Sequence, residues 1–325
     1  MRNFAVIGRN FVVDHFLDAA AERDDVRLCA VYSRKEETGR AFAQKHGAAR
    51  VYTDLAALAA DPDLDFVYIA SPNLCHEAQT IALLQSGKHV LVEKPAAPAL
   101  DGFERMCAAA KESGCVLMEA MMPAHMPALE KVRAWLPRIA PVRMADFSYC
   151  QYSSRYDQFK YGIVENAFRP ALQGGALMDI GIYCVLWLSA LFGQPDDLCG
   201  MCTFLPQSID GDGAFLARYS DLLCRVAFSK ISDSAQPCEI QGEGGRIWID
   251  RASRPRDVRL TLRDGSTEYF HTPDACSDMS YELADFLACL DGAPAQPFLE
   301  ITRRALWITD CARKKMGIDF SNKTL

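Results

Sequence analysis

The sequence lacks the features that mark nucleic-acid-binding, membrane and secreted proteins. Its 35 lysines and arginines form no dense run and the formal net charge is −7, which argues against a phosphate-binding surface. The N-terminal stretch MRNFAVIG has no apolar region of signal-peptide length followed by a cleavage site. No stretch of about 20 apolar residues is evident, so we expect no membrane-spanning helix. Repeats and low-complexity linkers are also absent. The expected partners are small molecules, with no nucleic acid and no membrane.

Thirteen cysteines are an odd number, and they are scattered through strand-like and helix-like segments. This distribution is typical of buried free thiols in a reducing compartment, so we expect a cytoplasmic protein. One pair, Cys199 and Cys202, has the C-x-x-C spacing of a redox or zinc motif. No second cysteine pair or histidine pair follows at the distances that zinc sites use, so we favour two ordinary strand residues and expect no metal.

Half of the 325 residues are hydrophobic, which is enough for two domains of roughly 150 residues each. In residues 1–120, runs that are apolar on both faces alternate with segments of helical spacing, which indicates a parallel sheet covered by helices on both sides. We therefore predict an α/β, doubly wound Rossmann domain over residues 1–120. Its predicted strands are 4–8, 27–32, 65–70, 89–93 and 115–120, and its predicted helices are 12–23, 36–46, 75–86 and 99–113.

The pattern changes after residue 120. A helix, a strand, a polar and aromatic loop over 151–173 and a long apolar helix ending at Gly193 precede several strand-like runs. Runs without intervening helices indicate a mostly antiparallel sheet, and the pair Asp264-Gly265 is typical of a hairpin turn. Two closing helices are predicted, near 278–290 and 299–316. We predict an α+β domain over residues 121–325 for substrate binding and oligomerisation.

Ligands of a doubly wound sheet bind at the carboxyl ends of its strands, and a dinucleotide site begins at the first strand-to-helix turn. There, Gly8 matches the first glycine of G-x-G-x-x-G, whereas Asn10 and Val13 replace the other two. Asn tolerates a left-handed backbone better than most residues, which would partly preserve the turn. The candidate cofactor-binding residues at the strand ends are Gly8, Arg9, Asn10, Phe11, Ser33, Arg34, Ser71, Pro72, Asn73, His76, Glu93 and Lys94. Among these, Asn73 has a second possible role as a helix N-cap.

The end of the second strand indicates which dinucleotide is bound. An NAD site offers Asp or Glu there, whereas this chain has Ser33, Arg34 and Lys35. A guanidinium at this place can bind a 2′-phosphate through charge-assisted hydrogen bonds, so we predict NADP, with NAD less favoured. The alternative is a solvated basic start of a helix.

Two further places carry candidate chemistry. Lys94 ends a predicted strand where a nicotinamide would lie; the alternative is a surface lysine paired with Glu93.

Asp179 and Tyr183 are four residues apart, so on a helix they share one face. A nearby cation such as Lys94 would lower the pKa of a phenol for proton transfer to a substrate oxygen. The alternative for Asp179 and Tyr183 is a hydrogen-bonded structural pair.

The segments HVLVEKP and GGALMDIGIY, behind a doubly wound first half, resemble the Gfo/Idh/MocA oxidoreductases, in particular the Tyr-bearing branch of dimeric dihydrodiol dehydrogenase and glucose-fructose oxidoreductase. The resemblance spans nearly the whole chain. It implies that Lys94 is the active-site lysine, followed by a peptide bond to Pro95 that is often cis. It also implies that Asp179 helps to position the substrate and that Tyr183 stands where many relatives carry a histidine acid or base.

The resemblance further implies that the loop over 151–170 contacts the substrate, although an ordinary exposed loop would have the same composition. The candidates there are Arg155, Tyr156, Asn166 and Phe168.

The hypothesis is an NADP-dependent oxidoreductase that transfers a hydride between a nicotinamide cofactor and a small sugar-like, dihydrodiol or carbonyl substrate. The alternative is a non-catalytic dinucleotide-binding sensor or regulatory protein on the same fold, which the degenerate glycine motif favours. A structural or assembly protein would bind no dinucleotide at all. An antiparallel sheet with one open face predicts a homodimer or homotetramer.

Overall fold

The first third of the chain forms a six-stranded sheet in a computed structural model that describes residues 1–274 and 277–319. The strands are β1 (Arg2–Ile7), β2 (Val26–Tyr32), β3 (Arg50–Tyr52), β4 (Phe66–Ile69), β5 (His89–Glu93) and β6 (Leu117–Ala120). The helices between them are α1 (Phe11–Ala21), α2 (Glu36–His46), α3 (Leu55–Ala59), α4 (Asn73–Gln85) and α5 (Leu100–Ser113). The order is β3-β2-β1-β4-β5-β6, and every pair is parallel. The predicted doubly wound sheet is confirmed.

Burial explains why these runs form central strands. All four residues of β4 are buried, as are Val90, Leu91 and Val92 of β5, so these strands are covered on both faces. The sequence pattern omitted β3 and α3 because they have three and five residues, which is too short for a periodic signal.

The second sheet has eight strands in the order β14-β13-β12-β11-β7-β10-β9-β8. The strands are β7 (Val142–Cys150), β8 (Asp197–Leu205), β9 (Ile209–Arg218), β10 (Leu223–Ser229), β11 (Cys238–Gly242), β12 (Gly245–Ile249), β13 (Asp257–Leu262) and β14 (Thr267–His271). Only the pair of β7 with β10 is parallel among the described strands of this sheet, which confirms the mostly antiparallel prediction. Gly265, with a φ of 86°, lies in the predicted turn between β13 and β14.

Helices accompany the second sheet and close the chain. They are α6 (Pro127–Ile139), α7 (Tyr156–Lys160), α8 (Ile182–Phe192), α9 (Met279–Leu290) and α10 (Gln296–Met316). A π-helical stretch, Leu177–Gly181, directly precedes α8, and Gly193 ends α8 with a φ of 77°.

Among the described residues, one helical segment, Pro170–Phe192, is long and apolar enough to cross a membrane, with a mean hydropathy of 1.8. The expectation that no such run exists was therefore wrong. However, 72% of its apolar window is buried inside the protein, as in a core helix. Trp187 shows this packing, since it is fully buried, stacks on Phe147 at 5.9 Å and donates its indole N–H to the Ala252 carbonyl.

The chain divides into two compact units that are discontinuous in sequence, unlike the contiguous division predicted at residue 120. The first unit comprises residues 1–121 and 274–300, and the second comprises 122–273 and the chain from residue 301 onward. Helix α9 belongs to the first unit because Phe286 is fully buried and packs on Phe66, with ring centroids 5.2 Å apart. The Glu22 carboxylate also accepts hydrogen bonds from this segment.

The C-x-x-C pair lies in β8, where alternation points the two side chains to opposite faces. Cys199 is exposed and Cys202 is half-buried, and neither forms a disulfide. Both residues lie in a strand, as the sequence predicted.

Candidate functional site

Predicted cofactor-binding residues follow the carboxyl ends of four parallel strands of the first unit. Strands β1 and β4 are neighbours, and the connections from them run in opposite directions, which makes this edge the topological switch point of the sheet. Arg9, Asn10 and Phe11 are exposed there. The residues at this edge are Gly8–Phe11 after β1, Ser33 and Arg34 after β2, Ser71–Asn73 after β4 and Lys94 after β5.

The turn after β1 requires a glycine at its first position. Gly8 has a φ of 122°, and a Cβ there would lie 2.5 Å from the Ala70 carbonyl oxygen. Asn10 is extended, with a φ of −90°, so the left-handed conformation considered for it was wrong. Its side chain instead caps α1 by accepting hydrogen bonds from the N–H groups of Val12 and Val13, and it donates to the Ala70 carbonyl at 3.3 Å. An asparagine at the second glycine position therefore stabilises this turn.

The end of β2 carries one polar residue that is buried and hydrogen-bonded and one that is exposed. Ser33 is buried, and its hydroxyl donates to the Lys35 carbonyl at 2.9 Å and lies 3.1 Å from the Thr38 hydroxyl, at the start of α2. Arg34 is exposed, and in the part of the chain that the structure describes no carboxylate pairs with it. A guanidinium in this position can donate charge-assisted hydrogen bonds to a phosphate.

The loop after β4 is joined to α4 by a side-chain hydrogen bond. The Ser71 hydroxyl donates to Gln79 Oε1 at 2.7 Å. Pro72 occupies the N-cap of α4 and Asn73 is its first helical residue, so the alternative role of Asn73 as N-cap is not what the structure shows.

His76 lies beneath this edge rather than on it. It is 1% exposed, with Nδ1 at 2.9 Å from the Pro95 carbonyl oxygen and Nε2 at 2.8 Å from the Ser71 carbonyl oxygen. Burial lowers the pKa of His76, and a neutral ring donates to only one of these carbonyls. His76 therefore lies between the loop after β4 and the turn after β5 and donates a hydrogen bond to one of them.

The turn after β5 places Lys94 at the ligand-facing edge. Glu93 is buried and accepts a hydrogen bond from the Tyr68 hydroxyl at 2.6 Å, so an exposed surface pair is not what the structure shows. Lys94 is half-buried, and its backbone N–H points to Glu93 Oε2 at 3.3 Å. The peptide bond between Lys94 and Pro95 is cis, as the resemblance implied.

The predicted acid and tyrosine lie in the second unit, at the junction of the π-helical stretch with α8. The Asp179 carboxylate accepts a hydrogen bond from Lys230 Nζ at 2.7 Å. The ring of Tyr183 meets Tyr149 edge to face, with centroids 5.7 Å apart. Sequence reasoning missed Lys230 and Tyr149, although Lys230 directly follows the apolar run of β10. Lys94 lies in the first unit, so its joint action with Asp179 and Tyr183 remains a prediction.

Two glycines before this helix allow other chain segments to approach it. A Cβ on Gly174 would lie 2.7 Å from the Ala167 carbonyl oxygen. Gly175 has a φ of 111°, and a Cβ there would lie 2.0 Å from Asp210 Oδ1. Asp210 Oδ2 in turn accepts from the Leu177 N–H at 2.7 Å, near the start of the π-helical stretch. The pair G-G is therefore explained by close contacts around the segment that carries Asp179.

The predicted substrate loop is partly folded on itself. Arg155 pairs with Glu165 at 2.8 Å, and the ring of Tyr156 stacks on Phe168 at 5.9 Å. Asn166 is exposed, whereas Phe168 is fully buried in a small apolar cluster. Phe168 therefore supports the loop from inside.

In residues 1–274 and 277–319, no group of three or more His, Cys, Asp and Glu side chains could hold a metal ion.

Comparisons with known proteins place this geometry in context. The sequence profile described as an oxidoreductase family with an NAD-binding Rossmann fold matches residues 2–121, and that of the GFO/IDH/MocA C-terminal domain matches residues 138–248. The chain is 43% identical to scyllo-inositol 2-dehydrogenase (NADP(+)) of Bacillus subtilis (strain 168), over 98% of each protein. It is 26% identical to trans-1,2-dihydrobenzene-1,2-diol dehydrogenase of Xenopus tropicalis, over 91% of this chain and 92% of that protein.

A solved structure shares the fold. A 3-ketoreductase of Actinomadura kijaniata, in complex with NADP and TDP-benzene, superposes with a TM-score of 0.84 at 24% identity, covering 97% of this chain and 98% of that one.

Proposed function

Because the chain belongs to the Gfo/Idh/MocA family of oxidoreductases, we propose that it transfers a hydride between NADP and a carbon that bears a hydroxyl or carbonyl oxygen in a small polyol or other sugar-like substrate. The observation that carries this proposal is the 43% identity, over 98% of the chain, to an NADP-dependent scyllo-inositol dehydrogenase. Dihydrodiols are a second substrate class to test, given the 26% identical dihydrodiol dehydrogenase.

The residues of the first unit fit a phosphorylated dinucleotide. A Cβ at Gly8 would strike the Ala70 carbonyl, so the turn after β1 leaves no room for a larger residue. The backbone N–H groups at the start of α1 would hold the pyrophosphate. Exposed Arg34 stands where an NAD site has a carboxylate, and it would hold the 2′-phosphate. When bound, NADP supplies the two-electron exchange as a hydride.

The chain's own residues would handle the proton and the orientation of the substrate. In this proposal, Tyr183 exchanges a proton with the substrate oxygen, and the ammonium of Lys94 favours the phenolate form that accepts it. Asp179, whose side chain is 33% exposed, accepts hydrogen bonds from substrate hydroxyls and so fixes the substrate.

The test is turnover of NADP with scyllo-inositol and with a panel of polyols, sugars and dihydrodiols. Lys94→Ala and Tyr183→Phe are each expected to lower kcat by about 10²-fold or more, as for the loss of a general acid or base. Exposed Lys111 and Tyr269 provide the matched controls Lys111→Ala and Tyr269→Phe, which should leave kcat unchanged. Unchanged turnover in both active-site variants would refute the mechanism. NADP binding measured by calorimetry without turnover of any substrate would favour the sensor alternative.

We also propose a homodimer or homotetramer that forms through the second sheet. Met144, Met201 and Leu216 lie on one face of it by strand register and are exposed to 39%, 83% and 39%. Apolar side chains grouped on one face favour association.

A cytoplasmic location is proposed because no disulfide joins the cysteines that the structure describes.

A further inference from the structure

Lys230 is a buried lysine at the carboxyl end of β10. It is 2% exposed, yet it carries an ammonium that needs compensation, because burial of a charge without a partner is costly. Its Nζ donates to Asp179 Oδ2 at 2.7 Å and to the Ala167 carbonyl at 3.2 Å, and it lies 4.5 Å from the centroid of the Phe168 ring. Lys230 therefore contacts both the π-helical stretch and the predicted substrate loop.

The pair of Lys230 with Asp179 is asymmetric. The side chain of Lys230 is 3% exposed, whereas that of Asp179 is 33% exposed. In a pair that served only the core, both partners would be expected to lie inside. The carboxylate is instead held from the interior side while part of it stays accessible to solvent, which is the orientation that a hydroxyl-bearing ligand requires.

Lys230 places a positive charge next to the carboxylate of Asp179. The π-helical stretch packs against β7, β9, β10 and α8. Charged and titratable residues of these elements include Tyr149, Asp210 and Tyr183, and Lys230 directly follows β10 and adds a positive charge 2.7 Å from Asp179. Burial raises the pKa of Asp210, while the Leu177 N–H and the charge of Lys230 oppose this shift. Without the ammonium, the carboxylates of Asp179 and Asp210 would have less compensation for their charge.

We propose that Lys230 is a positioning residue of the substrate site, which holds the Asp179 carboxylate ionised and fixed and fastens the loop at Ala167 and Phe168 beside it. This inference rests on the proposed function, in which Asp179 accepts hydrogen bonds from a polyol. It deepens that function by assigning substrate affinity to a lysine that need not touch the substrate.

The test compares Lys230→Met with Lys230→Arg in the full chain. Lys230→Met is expected to raise KM for the polyol about tenfold or more, with a smaller effect on kcat, because a charged hydrogen bond to Asp179 is lost. The acidic limb of kcat/KM should move to higher pH, because the carboxyl is then more easily protonated. NADP affinity should stay unchanged, and Lys230→Arg should restore part of the KM and of the pH profile.

Lys88→Met is the matched control for loss of a buried lysine. Lys88 is 7% exposed, and its Nζ donates to two backbone carbonyl oxygens, those of Asp61 at 2.5 Å and Leu64 at 3.0 Å. This control should lower the melting temperature without changing KM or the pH profile. Unchanged KM and pH profile in Lys230→Met, or equal changes in Lys88→Met, would overturn the inference alone. If the wild-type protein turns over no polyol, the proposed function fails, and with it the substrate role of Lys230.

Discussion

A buried glutamate shows how one residue can set the pH dependence of stability. Glu282 in α9 is 0% exposed, and neither carboxyl oxygen has a hydrogen-bond partner among the described residues. Burial raises the pKa of Glu282 well above its usual value, and the charges of Glu93 and Glu119 raise it further. The folded protein therefore keeps a proton that the unfolded chain releases above the ordinary glutamate pKa. The contribution of Glu282 to the free energy of unfolding is therefore fully present below the ordinary glutamate pKa. It declines as the pH rises towards the raised pKa of the folded protein.

Glu282→Gln is expected to remove this decline. The slope lost is up to about 1.4 kcal/mol per pH unit, since one proton is exchanged on unfolding. Thermal unfolding should show a higher melting temperature than wild type at pH 8 and a smaller difference at pH 5. Exposed Glu112 in α5 provides the control Glu112→Gln, for which the difference should not vary with pH. A gain that is the same at both pH values would contradict the assignment.

Arg34 provides a residue-level test of cofactor choice. Arg34→Gln should lower kcat/KM for NADP by about tenfold to a hundredfold and leave NAD nearly unaffected, because a charged hydrogen bond to a 2′-phosphate is worth about 1.5–3 kcal/mol. Initial rates with both cofactors measure this ratio. Arg40→Gln is the control, since Arg40 is exposed on α2 and pairs with Glu36 at 2.5 Å. An unchanged ratio in Arg34→Gln would place the phosphate elsewhere.

The sequence pattern predicted that Gly8, Arg34 and Lys94 lie at the carboxyl ends of parallel strands, and the structure places them there. The prediction was possible because parallel strands have their carboxyl ends at one edge of the sheet. Lys230 was missed because its contact with Asp179 joins positions 51 residues apart on different elements. Such a contact depends on how β10 packs against the π-helical stretch, which no local pattern records.

At the level of elements, the glycine pair before α8 can be tested through Gly175. Gly175→Ala should destabilise the protein by more than about 1 kcal/mol, because an alanine is strained at a φ of 111° and its Cβ would lie 2.0 Å from Asp210 Oδ1. Gly193→Ala is the matched control, with a φ of 77° and open space around the added Cβ. Denaturant titration should show the larger loss for Gly175→Ala. Equal losses would mean that the contact with Asp210 adds nothing to the backbone strain.

Periodicity predicted long elements well and short or irregular ones poorly. Helix α2 has the predicted bounds 36–46, and α5 and α9 begin within one residue of the prediction. The π-helical stretch before α8 was not predicted, because its residues have the same apolar composition as an ordinary helix. At its start, the Leu177 N–H donates to Asp210 of β9, a tertiary contact that local sequence does not record.

At the scale of the whole molecule, the predicted oligomer can be tested on the second sheet. Replacing both Met201 and Leu216 with Glu places charges on the proposed interface, where desolvation and like-charge repulsion oppose association. Analytical ultracentrifugation should show the mass falling from that of an oligomer to that of a monomer. Leu74→Glu, in α4 of the first unit and 37% exposed, should leave the mass unchanged. A wild-type monomer would contradict the proposal directly.

The discontinuity of the first unit was beyond prediction, because α9 has the same amphipathic pattern whichever sheet it covers. Only its contacts, such as Phe286 on Phe66, assign it to the first unit. This arrangement has a consequence for biosynthesis. When a ribosome has completed residues 1–121, the apolar surface under α9 is still uncovered, since the covering helix is nearly 160 residues from being made. Until α9 has been synthesised and has left the exit tunnel, the side of Phe66 that Phe286 covers in the folded protein therefore has no packing partner from this helix.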